Sequence, residues 1–471
     1  MSQQTKAPRA WPDYRAIWRW HFYSNLFCFP FVIVLAVSGG IYLFKPQIDR
    51  WEERAYNEVT TGGQTQLPSA IVGSAVAAIP GGQAVGWEFP ERSTDAARVL
   101  IRSSGETRKV FVHPETLEVL GHRVSDATLI RWIRALHGQL HLGVRGSYLV
   151  ELVSSWTVIM IVTGLCLWWP RQIKGLGGIL YPRLRRSQKI FWRDLHSVTG
   201  FWISGLALFL LATGLPWAKF WGEYLRQVRG LVQVPVSQDW TLGGEAAGEH
   251  ASGEHKEHQE TAGQQASGSK RKRGGWKKPM AAMPEDLSQL DRVVKTAAKL
   301  NLAYPVIITP PDQPGGNWAV KSDAQNRTLR AECEVSGTTG ELLKRDDFAG
   351  RPLLDRLIGI GIAAHEGQLF GWPNQLLGLV AATGLVTLSC SGLVMWWRRR
   401  PAGTLGALPP LATPRFRWPL FVTVVLLAAY LPMFGISLVL VLGIDFLWKQ
   451  LLQAPSFDPE IAEQEEGGAR S

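Results

Sequence analysis

Cysteine is scarce, with four in a chain of 471 residues, and none of them forms a Cys-x-x-Cys or Cys-x-x-Cys-His motif. That excludes a disulfide framework, a thioredoxin-like site and covalently attached c-type haem, and leaves haem held only by side-chain ligands open. Cys28, Cys166 and Cys390 lie in apolar runs, and Cys333 stands alone in a more polar region. No Gly-x-Gly-x-x-Gly links a strand pattern to a helix, so nicotinamide or flavin binding in the Rossmann manner has no support. Acidic residues are also missing from the long apolar runs, Glu151 apart. This argues against a cation carrier, which places carboxylates or broken helices near the bilayer midplane.

The long apolar runs are 21–45, 148–170, 196–218, 375–397 and 418–443, each near the ~20 residues that a helix needs to cross a bilayer. They predict a mainly α membrane protein with five transmembrane helices. They exclude a soluble enzyme and also an outer-membrane barrel, whose strands alternate in polarity. The net charge of +11 suggests a nucleic-acid partner until it is located. Segments 1–19, 171–193 and 398–417 hold 16 of the 50 Lys and Arg against one acid, Asp13, and the rest of the chain is net acidic. Basic charge thus collects in short loops at one end of the spans, the positive-inside pattern, and no nucleic acid is expected. The N-terminus (1–20) and the loops 171–195 and 398–417 are accordingly placed in the cytoplasm. Segments 46–147, 219–374 and the tail 444–471 fall outside, and the first span reads as a retained signal anchor.

The chain repeats itself. A shift of 228 residues lays His137 on His365, Gly143 on Gly371, Gly164-Leu165 on Gly392-Leu393 and Trp168-Trp169 on Trp396-Trp397. A shift of 175 lays His21 on His196, Ser38-Gly39 on Thr213-Gly214 and Tyr42 on Trp217. The unit is a span, an exterior domain and a returning span, used twice in the same direction, which implies a pseudo-two-fold axis along the membrane normal. The run 418–443 is an addition outside the repeat. Each exterior domain reads as a small α+β module. In the first, 70–78 is a helix and 84–89, 98–102 and 109–113 are strands. In the second, within 282–346, the helix is 287–300 and the strands are 304–309, 317–321 and 329–335. The tract 243–278, rich in Gly, Ala, Ser, Glu and Lys, is expected to be disordered, and its His250, His255 and His258 to be solvated.

Five histidines sit at span ends or just outside: His21, His196, His137, His141 and His365. A single interfacial His caps a helix or bonds a lipid headgroup. Two copies related by a pseudo-two-fold axis instead place His21 opposite His196, and His137 opposite His365. Such facing pairs suit two axial ligands on one planar iron cofactor. One pair belongs near each face of the membrane. His141 has no repeat partner and is an alternative exterior ligand. Ser38-Gly39-Gly40, Thr213-Gly214, Thr163-Gly164 and Ser391-Gly392 permit close approach of a helix or a flat macrocycle. Arg19, Arg193, Arg131, Arg134 and Arg145 suit haem propionates, although membrane orientation accounts for the same arginines.

Four stretches carry a family resemblance: Trp18-Arg19-Trp20-His21, Leu136-His137-Gly138-Gln139-Leu140-His141-Leu142-Gly143, Trp192-Arg193-Asp194-Leu195-His196, and His365-Glu366-Gly367-Gln368. Over roughly residues 12–400 the chain resembles the PepSY-associated transmembrane helix proteins, which include iron-regulated inner-membrane proteins and ferric-siderophore reductases of bacteria. The resemblance implies PepSY-like exterior modules and two haem b groups between spans. It further implies electron transfer across the inner membrane to a periplasmic ferric siderophore or other ferric chelate, from quinol or a separate flavoprotein. Two other readings of the same residues remain: a PepSY-type binding or regulatory protein with structural histidines, and a divalent-metal carrier.

The topology is checked by cysteine labelling. Residues 185 and 408 should label only from the cytoplasm, and residues 60, 265 and 465 only from outside. Cytoplasmic labelling at 465 would remove the fifth span.

Overall fold

The computed structural model describes residues 14–60, 62–169, 175–231, 281–408 and 418–453. The tract 243–278 lies outside the described residues. The first half contains helices α1 (Tyr14–Tyr42), α2 (Lys45–Glu52) and α3 (Pro68–Ala77), strands β1 (Gln83–Glu88), β2 (Ala97–Ser103), β3 (Glu106–Val112) and β4 (Val119–Val124), then α4 (Leu129–Gln139) and α5 (Gly143–Trp168). The second half runs α6 (Gln188–Gly214), α7 (Lys219–Leu231), α8 (Ser288–Ala297), β5 (Val306–Thr309), β6 (Asn317–Ser322), β7 (Ala331–Ser336), β8 (Leu342–Asp347), α9 (Leu353–His365) and α10 (Trp372–Arg399).

Among the described residues, four helices are long and apolar enough to cross a membrane: α1, α5, α6 with its 3-10 extension to Trp217, and α10. Helix α1 packs on α5 and α10, and α6 packs on the same two, so the four close into a ring. Helix α4 lies along α1 and α5, and its counterpart α9 lies along α6. Contacts therefore recur in pairs, as the duplication requires. Small residues let the helices approach: a Cβ on Gly384 would meet the Ile203 side chain at 2.5 Å. Without a hydrophobic drive between helices in lipid, such close packing holds a bundle together.

The expected single span 418–443 is instead two helices, α11 (Trp418–Tyr430) and α12 (Pro432–Gln453), which belong to a separate unit, 411–471. Pro432 is the cause. It has no N–H to offer the preceding turn, and its fixed φ suits the first position of a new helix.

The two sheet modules differ from expectation in strand number and in separateness. Each has four strands, the missed ones being β4 and β8, and all eight form one antiparallel sheet in the order β4-β3-β2-β1-β5-β6-β7-β8. The halves join at β1 and β5, with Trp87 opposite Ile308 and Glu88 opposite Ile307. Both missed strands lie on the sheet's outer edges, and β8 is exposed along its whole length. A strand with no buried face shows no apolar alternation to read. Helices α3 and α8 pack over the seam, and Ile71, Val72, Leu290 and Val293 share one core with Val99, Val110, Ile308 and Trp318. Cys333 is buried in that core.

A polar lock crosses the seam. The Asp291 carboxylate of α8 accepts from the Ser69 backbone N–H and hydroxyl of α3, both at 2.8 Å. Replacing Asp291 by Ala leaves both donors without this acceptor, and we expect a loss of about 1–3 kcal/mol, read as a lower unfolding midpoint with faster amide exchange at β1 and β5.

Candidate functional site

Four histidines seat themselves in the bundle by one rule. The His21 Nδ1 lies 3.0 Å from the Met160 carbonyl and 3.2 Å from the Thr163 hydroxyl of α5. For His137 the partners are the Leu35 carbonyl at 3.0 Å and the Ser38 hydroxyl at 3.2 Å, on α1. For His196 they are the Leu388 carbonyl at 3.1 Å and the Ser391 hydroxyl at 3.2 Å, on α10. His365 meets the Thr213 hydroxyl at 3.0 Å and the Leu210 carbonyl, on α6. Every hydroxyl donates its own proton to a carbonyl in the preceding turn of its helix, so it accepts from the imidazole.

This bonding assigns the tautomer. A carbonyl only accepts, hence each Nδ1 carries the proton and a neutral ring keeps its lone pair on Nε2. Metal-ligating histidines are held in this way, with the non-ligating nitrogen donating to a carbonyl. Burial pushes the His137 imidazole below its usual range, and burial together with His137 takes His365 down to about 4. Both rings face the cavity described below, so they are partly accessible to it yet enclosed by protein.

The glycine after each hydroxyl residue makes room for the ring. A Cβ would stand 3.0 Å from His21 Cε1 at Gly164, 2.9 Å from His137 Cε1 at Gly39, 3.3 Å from His365 Cε1 at Gly214 and 3.5 Å from His196 Cε1 at Gly392. The Ser/Thr-Gly dipeptides were visible in the repeat. Their role as histidine seats was not, because it depends on a partner helix more than a hundred residues away.

The rings meet in two pairs. His21 and His196 have centroids 6.3 Å apart with planes at 83°, and His137 and His365 are 6.4 Å apart at 72°. Two imidazoles in line on one metal, each bonded at about 2.0 Å, have centroids roughly 6 Å apart. The spacing fits a shared axial position on both sides of a flat group. Among the described residues there is no cluster of three or more His, Cys, Asp or Glu to hold a bare metal ion, so the equatorial donors of such a site must come with the group.

His141 stands apart from both pairs. Expected one turn beyond His137 on the same helix, it lies after α4 has ended, with Leu140 and His141 both in left-handed backbone. Its exposed ring rests on Trp132, centroids 4.7 Å apart.

A cavity of about 220 Å³ opens beside the second pair at the sheet end of the bundle, and its wall includes Gly39, Arg134, His137, Glu151, Trp217 and His365. The arginines divide. Arg134 lines this cavity with its guanidinium 5.6 Å from the Trp217 ring centre. Arg327, which the sequence did not single out, lies buried 5.2 Å from the same ring. Arg193 bonds the wholly buried Asp194 at 2.6 Å, and Arg183 bonds it at 2.7 Å. Arg19 donates to the Leu408 carbonyl, Arg131 pairs with Asp126 at 2.8 Å, and Arg145 is exposed.

Gly39→Ala should displace the His137 ring and cost about 1–3 kcal/mol by overpacking. Gly73→Ala, at a helical glycine with open space around its Cα, should be neutral or stabilising by up to about 1 kcal/mol. Thermal unfolding of the two variants in detergent checks the contrast.

A family model described as the PepSY-associated TM region matches residues 18–399. No curated protein matches the chain.

Proposed function

This chain belongs to the PepSY-associated TM region family, and from that premise we propose that it is a haem-dependent oxidoreductase of the bacterial inner membrane that passes electrons to a periplasmic ferric chelate, most simply a ferric siderophore. The observation that carries the reading is the pair of histidine couples at the same 6.3–6.4 Å spacing. Four Nδ1 atoms committed to neighbouring helices leave four Nε2 lone pairs as ligands. His21 with His196 would hold one haem b, and His137 with His365 a second, while Arg134 stands where a propionate of the second would be met. When bound, haem b supplies one-electron centres at both ends of the bundle.

The chain's own residues supply placement and insulation. Carbonyl bonds keep each imidazole in the ligating tautomer, and the glycine seats admit the rings between close-packed helices. Lipid-facing apolar side chains keep water from the conduit. Direction follows from size and charge. The basic loops are short, whereas the opposite end carries an eight-stranded sheet. A bulky acceptor therefore belongs at the sheet end, taken as the periplasmic one. Electrons would enter at the His21–His196 end from quinol or a separate flavoprotein.

The test is an optical spectrum of purified protein. Two bis-histidine haems are expected per chain. His196→Ala should remove one, His365→Ala the other, and His141→Ala neither. Adding a ferric chelate to the reduced protein should reoxidise the haem. A protein without haem, or with content unchanged in both ligand variants, overturns the proposal.

A further inference from the structure

The cavity beside His137 and His365 is walled unequally. Helix α5 faces it with Ser147, Glu151, Ser154 and Thr157, a polar stripe at helical spacing. The 228-residue shift makes Leu379, Ala382 and Leu385 of α10 the counterparts of Glu151, Ser154 and Thr157, and α10 presents only Gly378, Ala382 and Leu385 to the same space. The duplication has thus been broken on one wall, where α5 carries a carboxylate and α10 carries Leu379.

Glu151 is buried, with 2 % of its surface exposed. One carboxylate oxygen, Oε2, accepts from the Phe220 backbone N–H at 3.0 Å, next to the start of α7. The other, Oε1, is buried without a hydrogen-bond partner, as are the Ser147 hydroxyl and the Trp217 indole N–H on the same cavity wall. Capping α7, through the Phe220 and Trp221 backbone N–H groups, leaves the second oxygen unpartnered on a residue that lines the space shared by the histidine pair. A buried carboxylate with one oxygen unpartnered is poorly stabilised as an anion, and protonation removes the cost of burying its charge. The charged and titratable groups around Glu151 are Arg134 and His137 from α4, His365 and Glu366 from α9, and Lys219 and Glu223 from α7, the last two paired with each other. Helix α1 adds the Tyr42 phenol to the cavity wall, and α6 and α10 bring no charged or titratable side chain to it.

We propose that Glu151 takes up a proton when an electron reaches the sheet-side centre and releases it when the electron leaves for the acceptor. The inference rests on the haem reading above. Balance is simple: one electron from the donor converts ferric to ferrous iron, and one proton from exterior water converts the Glu151 carboxylate to the acid. In a low-dielectric interior an added negative charge beside a carboxylate is costly, and a proton taken at the same time offsets it. The first pair, His21 and His196, has no such unpartnered carboxylate described beside it: Asp194, two residues before His196, is already bonded by Arg183 and Arg193. Coupling is therefore confined to one centre.

Redox titration of the whole protein at several pH values, followed optically, tests this. In the wild-type protein one haem should shift by up to about 59 mV per tenfold change in proton activity, the one-electron limit, and the other should stay level. Glu151→Gln keeps an acceptor for the Phe220 N–H and should flatten the slope while retaining both haem bands. Glu151→Asp should restore part of it. Infrared redox-difference spectra of the wild-type protein give a readout that needs no variant: a protonated carboxyl band should rise on reduction and shift in heavy water. An unchanged slope in Glu151→Gln, or no carboxyl band, overturns the proton role while the haem reading stands. Absence of haem overturns both.

Discussion

Every other feature of the bundle depends on the hydrogen bond from an imidazole Nδ1 to a main-chain carbonyl on a neighbouring transmembrane helix. A helix carbonyl inside a membrane is normally committed to its own N–H four residues on, and a second donor reaches it only at close range. Close range in turn requires a residue without a Cβ at the contact, and a hydroxyl beside it that shares the proton. The Ser/Thr-Gly dipeptide supplies both. Four such dipeptides, one each on α5, α1, α10 and α6, lie against His21, His137, His196 and His365.

That local requirement has architectural consequences. Because the histidines of α1 and α6 seat on α5 and α10, and those of α4 and α9 seat on α1 and α6, each seat ties together two elements of one half. The two rings of a pair come from different halves, so the ring of helices must close for a pair to form. The sheet serves the same closure from outside the bundle. Joined at β1 and β5 and locked by Asp291 and Ser69, it holds the two halves in fixed register above α4 and α9. The symmetry is departed from at Glu151, whose counterpart on α10 is Leu379.

Much of this was legible without coordinates. The apolar runs and the two gapless shifts gave five expected spans, four of which are long apolar helices, together with the duplication and the four histidines that meet, since each reflects either a composition imposed by lipid or a copying event that keeps spacing intact. The first three strands and the helix of each module were readable from their apolar content, continuously buried in β1 and β2 and alternating in β5, β6 and β7. The edge strands were not, β4 being only half-buried and β8 exposed along its whole length, and Pro432 divided the run 418–443 where hydropathy alone showed one span.

What the sequence by itself determined is the list of parts and their pairing across the duplication: His21 with His196 and His137 with His365, each near a Ser/Thr-Gly. Only the tertiary structure decided which part serves which. It assigned each dipeptide to a particular ring, set His141 apart from both histidine pairs by ending α4 at Gln139, paired Arg193 with Asp194, and brought Glu151 to the cavity. The reason is physical: composition and period report what a residue needs, such as lipid, water or a close neighbour. The identity of that neighbour is settled by contacts between segments a hundred or more residues apart, which leave no trace in local pattern.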